Sequence, residues 1–213
     1  MGRIYDATWG RAFTAFYDRA MKSTEEAGMR EKRREVLSEA AGRTIDIGAG
    51  TGLNLELFPP EVSELVLAEP DPHMLKKLEE KLSASSREAS VVRSPAEKLP
   101  FPDDSFDTAV FTLVLCTVPD PASALAEAAR LLRPGGKLLF LEHVRSEDPG
   151  LARWQDRLEG PWHFIGDGCH CNRDTLATIE ASPFEVEKAD KDELPKAPPL
   201  VKPLIRGQAT LQA

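Results

Sequence analysis

Apolar and polar positions alternate in two rhythms along this chain, and the switch between them marks out the elements. Residues 11–41 are long and charged, with Phe13, Phe16, Tyr17, Met21, Met29 and Val36 at helical spacing and no proline, which predicts a helix. Short apolar runs follow at residues 43–47, 64–68, 88–93, 106–113 and 137–144, each short enough to be a buried strand. Between them, residues 53–58, 71–83 and 121–132 have helical patterning. Pro59-Pro60 stops the first of these helices, and Arg133-Pro134-Gly135-Gly136 stops the last. Asp71 is placed to cap the second helix, with Pro72 in its first turn. Strands alternating with helices imply βαβ units and a parallel sheet. The final third reads differently. Residues 151–160 and 173–182 are helical, and then strands at 184–189 and 204–211 are joined only by a Pro- and Lys-rich connection. Two strands with no helix between them predict an antiparallel pair at the sheet edge.

Composition narrows the picture. At 213 residues the chain suits one α/β domain, and 41% apolar with 29% charged residues is ordinary for a soluble protein. No apolar run approaches the roughly 18–20 residues of a membrane span, and the N-terminal MGRIYDATWGR lacks a signal-peptide core. A cytoplasmic location is expected. A net charge of −8 argues against nucleic acid as a partner. The basic run REKRR at residues 30–34 is flanked by glutamates and reads as a solvated helix face. Three cysteines make no disulfide framework. Cys169-His170-Cys171 invites a metal reading, but neighbouring side chains diverge and no second ligand pair has zinc-like spacing, so no metal is expected.

The stretch TIDIGAGTGLN, residues 44–54, carries the chemistry. An apolar strand ending near Asp46 opens into Gly48, Gly50 and Gly52 on alternate positions. Such a turn at the carboxyl end of a parallel sheet lets a ligand lie on bare backbone. The order is G-x-G-x-G, whereas dinucleotide-binding turns use G-x-G-x-x-G. Asp46 suits a cationic ligand and not a diphosphate. Glu69, at the end of the next strand, can accept from both hydroxyls of a ribose. A nucleoside that carries positive charge and no phosphate fits both acids, as S-adenosylmethionine does and NAD does not.

Four segments, IDIGAGTG, LAEPD, SPAEKLPFPDDSFDTAVFTLVLCTV and EAARLLRPGGKLLFLEHV, resemble in order and spacing the signatures of class I S-adenosylmethionine-dependent methyltransferases of the type 11 branch, over about residues 43–145. The resemblance implies a Rossmann-like, doubly wound α/β fold with a seven-stranded sheet, mostly parallel with an antiparallel edge strand. It also implies roles. Gly48, Ala49 and Gly50 would pass under the methionine moiety with Asp46 near its amino group, and Glu69 would bind the ribose. Pro70 and Met74 would flank the adenine, Ala96 and Glu97 would meet its edge, and Thr112 and Leu113 would floor the methyl donor. TLVLCTV, EHV, WQDRLEGPWHFIGDGCHCNRDTLATIE and KPLIRGQA further resemble the animal methyltransferase-like 7 group, membrane-associated enzymes that methylate alkyl thiols. Members of that group carry an N-terminal hydrophobic anchor, for which MGRIYDATWGR has no counterpart.

The expected organisation is a single domain over residues 1–213. Residues 1–41 form a helical lid, 42–145 the cofactor core, and 146–213 an acceptor cover and terminal strands. Methyl transfer needs in-line positioning, and a base only where the acceptor is protonated. His143, at the end of the fifth strand, and His163, in the covering segment, are the candidate catalytic residues; His73 and His170 are weaker ones. Cys116 reads as core packing. Trp154, Trp162 and Phe164, with Tyr5, Trp9, Phe13 and Tyr17, either roof an apolar pocket or cap the core. The expected activity is methyl transfer from S-adenosylmethionine to a small hydrophobic acceptor, a thiol, a quinone-like phenol or a lipid. A non-catalytic S-adenosylmethionine-binding module and a nicotinamide oxidoreductase are the rival readings.

Overall fold

The computed structural model describes residue 14, residues 17–19 and residues 21–212. The aromatic positions Tyr5, Trp9, Phe13 and Phe16 lie outside them. Seven strands form one sheet: β1 (Gly42–Ile47), β2 (Val62–Ala68), β3 (Ser90–Val92), β4 (Phe106–Thr112), β5 (Leu132–His143), β6 (Phe184–Glu193) and β7 (Pro203–Leu211). Their order is β3-β2-β1-β4-β5-β7-β6. All neighbours from β3 to β5 pair in parallel, while β7 runs antiparallel to both β5 and β6. The reversed strand therefore lies one place in from the edge.

The near-continuous apolar runs follow from coverage of both faces. Successive side chains of a strand point to opposite sides. Leu138 and Phe140 of β5 thus join one core cluster with Ala109 and Phe111 of β4, while Leu139 and Leu141 join the other with Val110. Each such side chain is fully buried, and each Leu, Val or Phe among them contributes roughly 1.5–3 kcal/mol.

The helices begin on a repeated device. α2 (Pro72–Ala84), α3 (Pro121–Leu131) and α4 (Pro149–Ile165) each start with an Asp whose carboxylate accepts from first-turn amides, followed by Pro. Proline has no N–H to lose at that position, so both residues favour the start. α1 (Arg30–Leu37) and α5 (Thr175–Glu180) are two further helices among the described residues. Three expectations shift. The helix expected over residues 11–41 is interrupted within Glu25–Met29, where Gly28 takes φ +124°, and it stops at Leu37. Residues 53–58 shrink to a 3-10 turn at Leu55–Leu57, because Phe58 precedes proline and is extended. α4 continues through Pro161 and ends at Gly166, whose amide still reaches Trp162 O. No described helix is long and apolar enough to cross a membrane.

The chain runs outward from β1 to β3 and then returns to β4 on the other side of β1. That reversal opens a crevice at the carboxyl ends of β1 and β4. Helical residues 17–19 and 21–24 lie against one flank, fastened by Asp18. Its carboxylate accepts from Thr51 Oγ1 at 2.5 Å and lies 3.3 Å from Lys77 Nζ and 3.6 Å from Lys81 Nζ. Burial alone would raise the Asp18 pKa, but the Thr51 hydroxyl and the two ammonium groups outweigh it and hold the carboxyl below its ordinary value. Asp18→Ala is expected to speed amide exchange in residues 17–19 and 21–24. Global stability should move by no more than about 1 kcal/mol, the scale of a half-exposed ion pair. Unchanged exchange there would contradict the latch.

Candidate active site

The glycine turn carries positive φ at all three glycines: +72° at Gly48, +57° at Gly50 and +79° at Gly52. A side chain on Gly48 would also meet Val114 Cγ2 at 2.6 Å. Two hydrogen bonds from the Gly48 and Ala49 amides to Ala68 O pin the turn to the end of β2. Glu69, the next residue, completes the clamp. Its Oε2 accepts from Gly50 N and its Oε1 from Asp71 N, both at 2.8 Å. One carboxylate thus holds the turn and the start of α2 together.

Behind the turn lies a buried polar node. Asn54 Nδ2 donates to both oxygens of Asp46, at 3.1 and 3.0 Å, and to Thr112 Oγ1 at 2.9 Å. Asn54 Oδ1 accepts from Arg33 Nη1 at 3.0 Å, and Arg33 Nε reaches Glu25 at 3.0 Å. Arg33 is 2% exposed, so one member of the REKRR run is a buried tether and not part of a solvated face.

These elements surround a cavity of about 920 Å³ at the crevice. Gly48, Ala49, Gly50, Glu69, Pro70 and Met74 line it, as do Ala96, Glu97, Thr112, Leu113 and His143. Asp46 does not reach the cavity; Asn54 stands in front of it. His163 is not in the lining either: its ring faces His170 at 4.3 Å, and His170 Nδ1 lies 2.6 Å from Glu159 Oε1. Trp162 and Tyr17 line the cavity, whereas Trp154 and Phe164 are exposed. Leu113 takes φ +60°, a backbone cost of about 1–3 kcal/mol kept where the floor of the cavity turns.

The far wall carries sulfur. Cys116 follows β4, His143 ends β5, and Cys169 lies in the loop after α4; all three are buried and line the cavity. His143 Nε2 is 2.7 Å from Cys169 Sγ, which also accepts from Trp162 Nε1 at 3.3 Å. The hydrogen bond with Cys169 and then burial push the Cys116 thiol well above its usual range. Glu142 lies outside the cavity lining: its Oε1 accepts from Val114 N at 2.8 Å and Leu115 N at 3.1 Å, bracing the turn that carries Cys116. Sequence spacing missed Arg33, Asn54, Val114 and this sulfur wall, whose members meet only through the sheet.

Burial is the main force on the two acids at the turn. It raises Asp46 to about 7 against the opposing pull of Asn54 and Arg33, and Glu69 to about 7 against its two amide donors. Both carboxyls are thus protonated in the folded protein at pH values where the unfolded chain has lost those protons. Ligand-free stability should therefore fall as pH rises from about 4.5 to about 7, by roughly a few kcal/mol in all. Urea midpoints across that range test this, and the Asp46→Asn/Glu69→Gln double variant should flatten the slope. A midpoint that climbs with pH in the parent would contradict it.

Residues 45–140 match the model of a family described as a methyltransferase domain. The chain is 35% identical over 193 residues to the thiol S-methyltransferase TMT1B of Homo sapiens, covering 85% of this chain and 79% of that one. It is 32% identical over 209 residues to the human thiol S-methyltransferase TMT1A, covering 92% and 82%. A solved SAM-dependent methyltransferase from Thermotoga maritima superimposes with a TM-score of 0.71 at 21% identity, over 95% of this chain and 97% of that one. With relatives this similar over most of their length, the chain belongs to the class I S-adenosylmethionine-dependent methyltransferases.

Proposed function

We propose that this methyltransferase moves a methyl group to the sulfur of a small hydrophobic thiol. The observation that carries the reading is one continuous cavity, acidic and glycine-lined at one end and apolar with sulfur and imidazole at the other. Its volume of about 920 Å³ lies at the top of the usual small-molecule range of roughly 300–1,000 Å³. Relatives named as thiol S-methyltransferases support the choice of acceptor.

The residues present fit S-adenosylmethionine. Gly48, Ala49 and Gly50 offer backbone with no side chain beyond Cβ, and Glu69 presents a carboxyl to the same space. Pro70, Met74, Ala96 and Glu97 would hold the adenine, and Glu69 the ribose. Asp46 would act through Asn54, which it orients. S-adenosylmethionine, when bound, supplies an electrophilic methyl on a sulfonium. Thr112 and Leu113 would floor the space beside it, and His143, not His163, would meet the acceptor. Leu113, Val114, Val118, Trp162, Ile165 and Val201 line the same cavity and exclude water around an apolar tail. Residues 1–213 then act as a single domain, with the N-terminal helix as lid and residues 146–213 as cover and terminal strands.

Two outcomes are expected. Steady-state assays with an alkyl thiol, a phenol and an amine of matched size should show thiol turnover fastest. His143→Ala should lower thiol kcat/KM by about a hundredfold or more while leaving S-adenosylhomocysteine binding intact. Preference for the amine or the phenol would overturn the reading. Donation from ribose hydroxyls favours the ionised Glu69, so S-adenosylhomocysteine affinity should rise about tenfold between pH 6 and 8, with proton release. Calorimetry in buffers of different ionisation enthalpy reads both quantities, and Glu69→Gln should abolish the slope. A flat profile in the parent would remove Glu69 from ligand contact.

A further inference from the structure

The sulfur wall has a geometry that packing alone does not require. Cys116 Sγ, a ring nitrogen of His143 and Cys169 Sγ all lie within 4.8 Å of one another. The three residues come from three separate elements and are 2%, 5% and 9% exposed. Backbone ties fix their relative placement. His170 N donates to Cys116 O at 2.8 Å, joining the two cysteine-bearing segments. Arg173 Nη1 donates to Leu115 O and Val118 O, both at 2.7 Å, closing the turn around Cys116.

We propose that Cys116, His143 and Cys169 hold a zinc-class divalent cation whose fourth position, open to the cavity, takes the acceptor's sulfur as a thiolate. This rests on the thiol reading given above and specifies how the thiol is held. Two thiolates and one imidazole, with a position left for water or substrate, are a known ligand set for catalytic zinc. Bonds of about 2.3 Å to sulfur and 2.0–2.1 Å to nitrogen place tetrahedral ligand atoms roughly 3.5–3.8 Å apart. His143 and Cys169 must open from 2.7 Å to reach that range, and no pair of ligand atoms is more than 4.8 Å apart. All three side chains line the cavity, so an added ligand has access from the acceptor space.

The chemistry balances simply. Cation binding releases the Cys116 and Cys169 thiol protons to water; an entering acceptor thiol likewise gives its S–H proton to water, and its sulfur lone pair bonds to the cation in place of a coordinated water. A thiol bound to such a cation is deprotonated outright, so no separate base is needed. His143 then serves as a ligand. The acceptor sulfur then bonds to the donor's methyl as the sulfonium S–CH3 bond breaks, the donor leaving as S-adenosylhomocysteine; the neutral thioether product is a weaker ligand than a thiolate and leaves. Soft ligands around the cation also favour a sulfur acceptor over an oxygen or nitrogen one. No paired ligands stand at zinc-like spacing in the sequence, from which no metal is expected; these three are brought together only by the fold.

A second cluster, Glu159, His163 and His170, also lies within coordinating distance, half-buried and outside the cavity lining. The test must separate the two. Chelator-treated protein is titrated with zinc by calorimetry and with cobalt(II) by absorption. One equivalent is expected, with thiolate-to-cobalt charge transfer. That signal should vanish in Cys116→Ser and Cys169→Ser, weaken at least tenfold in affinity in His143→Gln, and persist in His163→Gln and His170→Gln. Adding an alkyl thiol should shift the cobalt d–d bands. The proposal is overturned by binding without charge transfer, by loss of binding in the His163 or His170 variants alone, or by a spectrum that ignores added thiol. Thiol methylation at full rate by metal-free protein would overturn it too while leaving the thiol reading standing. Absence of thiol turnover with or without zinc would instead fail the thiol reading itself. S-adenosylhomocysteine binding and thermal unfolding of each Ser variant report that it is folded.

Discussion

One side-chain amide joins the parts of this site. Asn54 donates to Asp46 at the end of β1 and to Thr112 at the end of β4, and accepts from Arg33 on α1. It is 2% exposed, as is Arg33, and Asp46 is wholly buried. In such surroundings a broken hydrogen bond leaves an unsatisfied buried group at a cost of about 1–3 kcal/mol. The two strand ends that open the crevice are therefore held at one separation, and the N-terminal helix is held against them. Arg33 also supplies the positive charge that lets an acid persist at this depth. The cavity takes its shape from this node and from the Glu69 clamp beside it.

The two ends of the cavity use different physics. At the glycine turn, positive φ values and missing side chains leave backbone bare, and Glu69 fixes that backbone through Gly50. Elsewhere the lining brings apolar side chains such as Val114, Val118, Trp162 and Ile165 together with Cys116, His143 and Cys169. Glu142 belongs structurally to this end yet stays outside the cavity lining, bracing the turn after β4. A methyl group carried between the two ends would move from a polar donor platform to a dry acceptor space, where electrostatic contacts are stronger than in water.

The parts legible in the sequence were those encoded locally. The seven strands follow from apolar runs whose alternate residues enter opposite cores, as Leu138 and Leu139 do. Asp71 and Pro72 announce the start of α2 because capping acts within one turn. The tight turn at Gly48, Gly50 and Gly52 and the place of Glu69 after β2 were legible from spacing and strand position. Asn54 and Arg33 were not, since their partners lie 58 and 21 positions away along the chain. Asp46 was placed in the right strand but expected against the ligand, and only packing reveals that Asn54 covers it. The sulfur wall was illegible for the same reason: its three members come from separate elements, and Cys169 was visible only beside His170 and Cys171, with which it does not cluster. Gly28 gave no local sign of the kink, because an isolated glycine in a helical pattern is often tolerated.

The central claim is that the glycine turn and Glu69 form the donor end of a cavity whose acceptor end is the sulfur wall. A crystal structure with bound S-adenosylhomocysteine tests this most directly. The account predicts ribose hydroxyls on the Glu69 carboxylate, the amino-acid portion over Gly48 to Gly50, and the thioether sulfur directed toward His143. A ligand seated elsewhere, or one seated here with Glu69 bound only to Gly50 and Asp71, would contradict it.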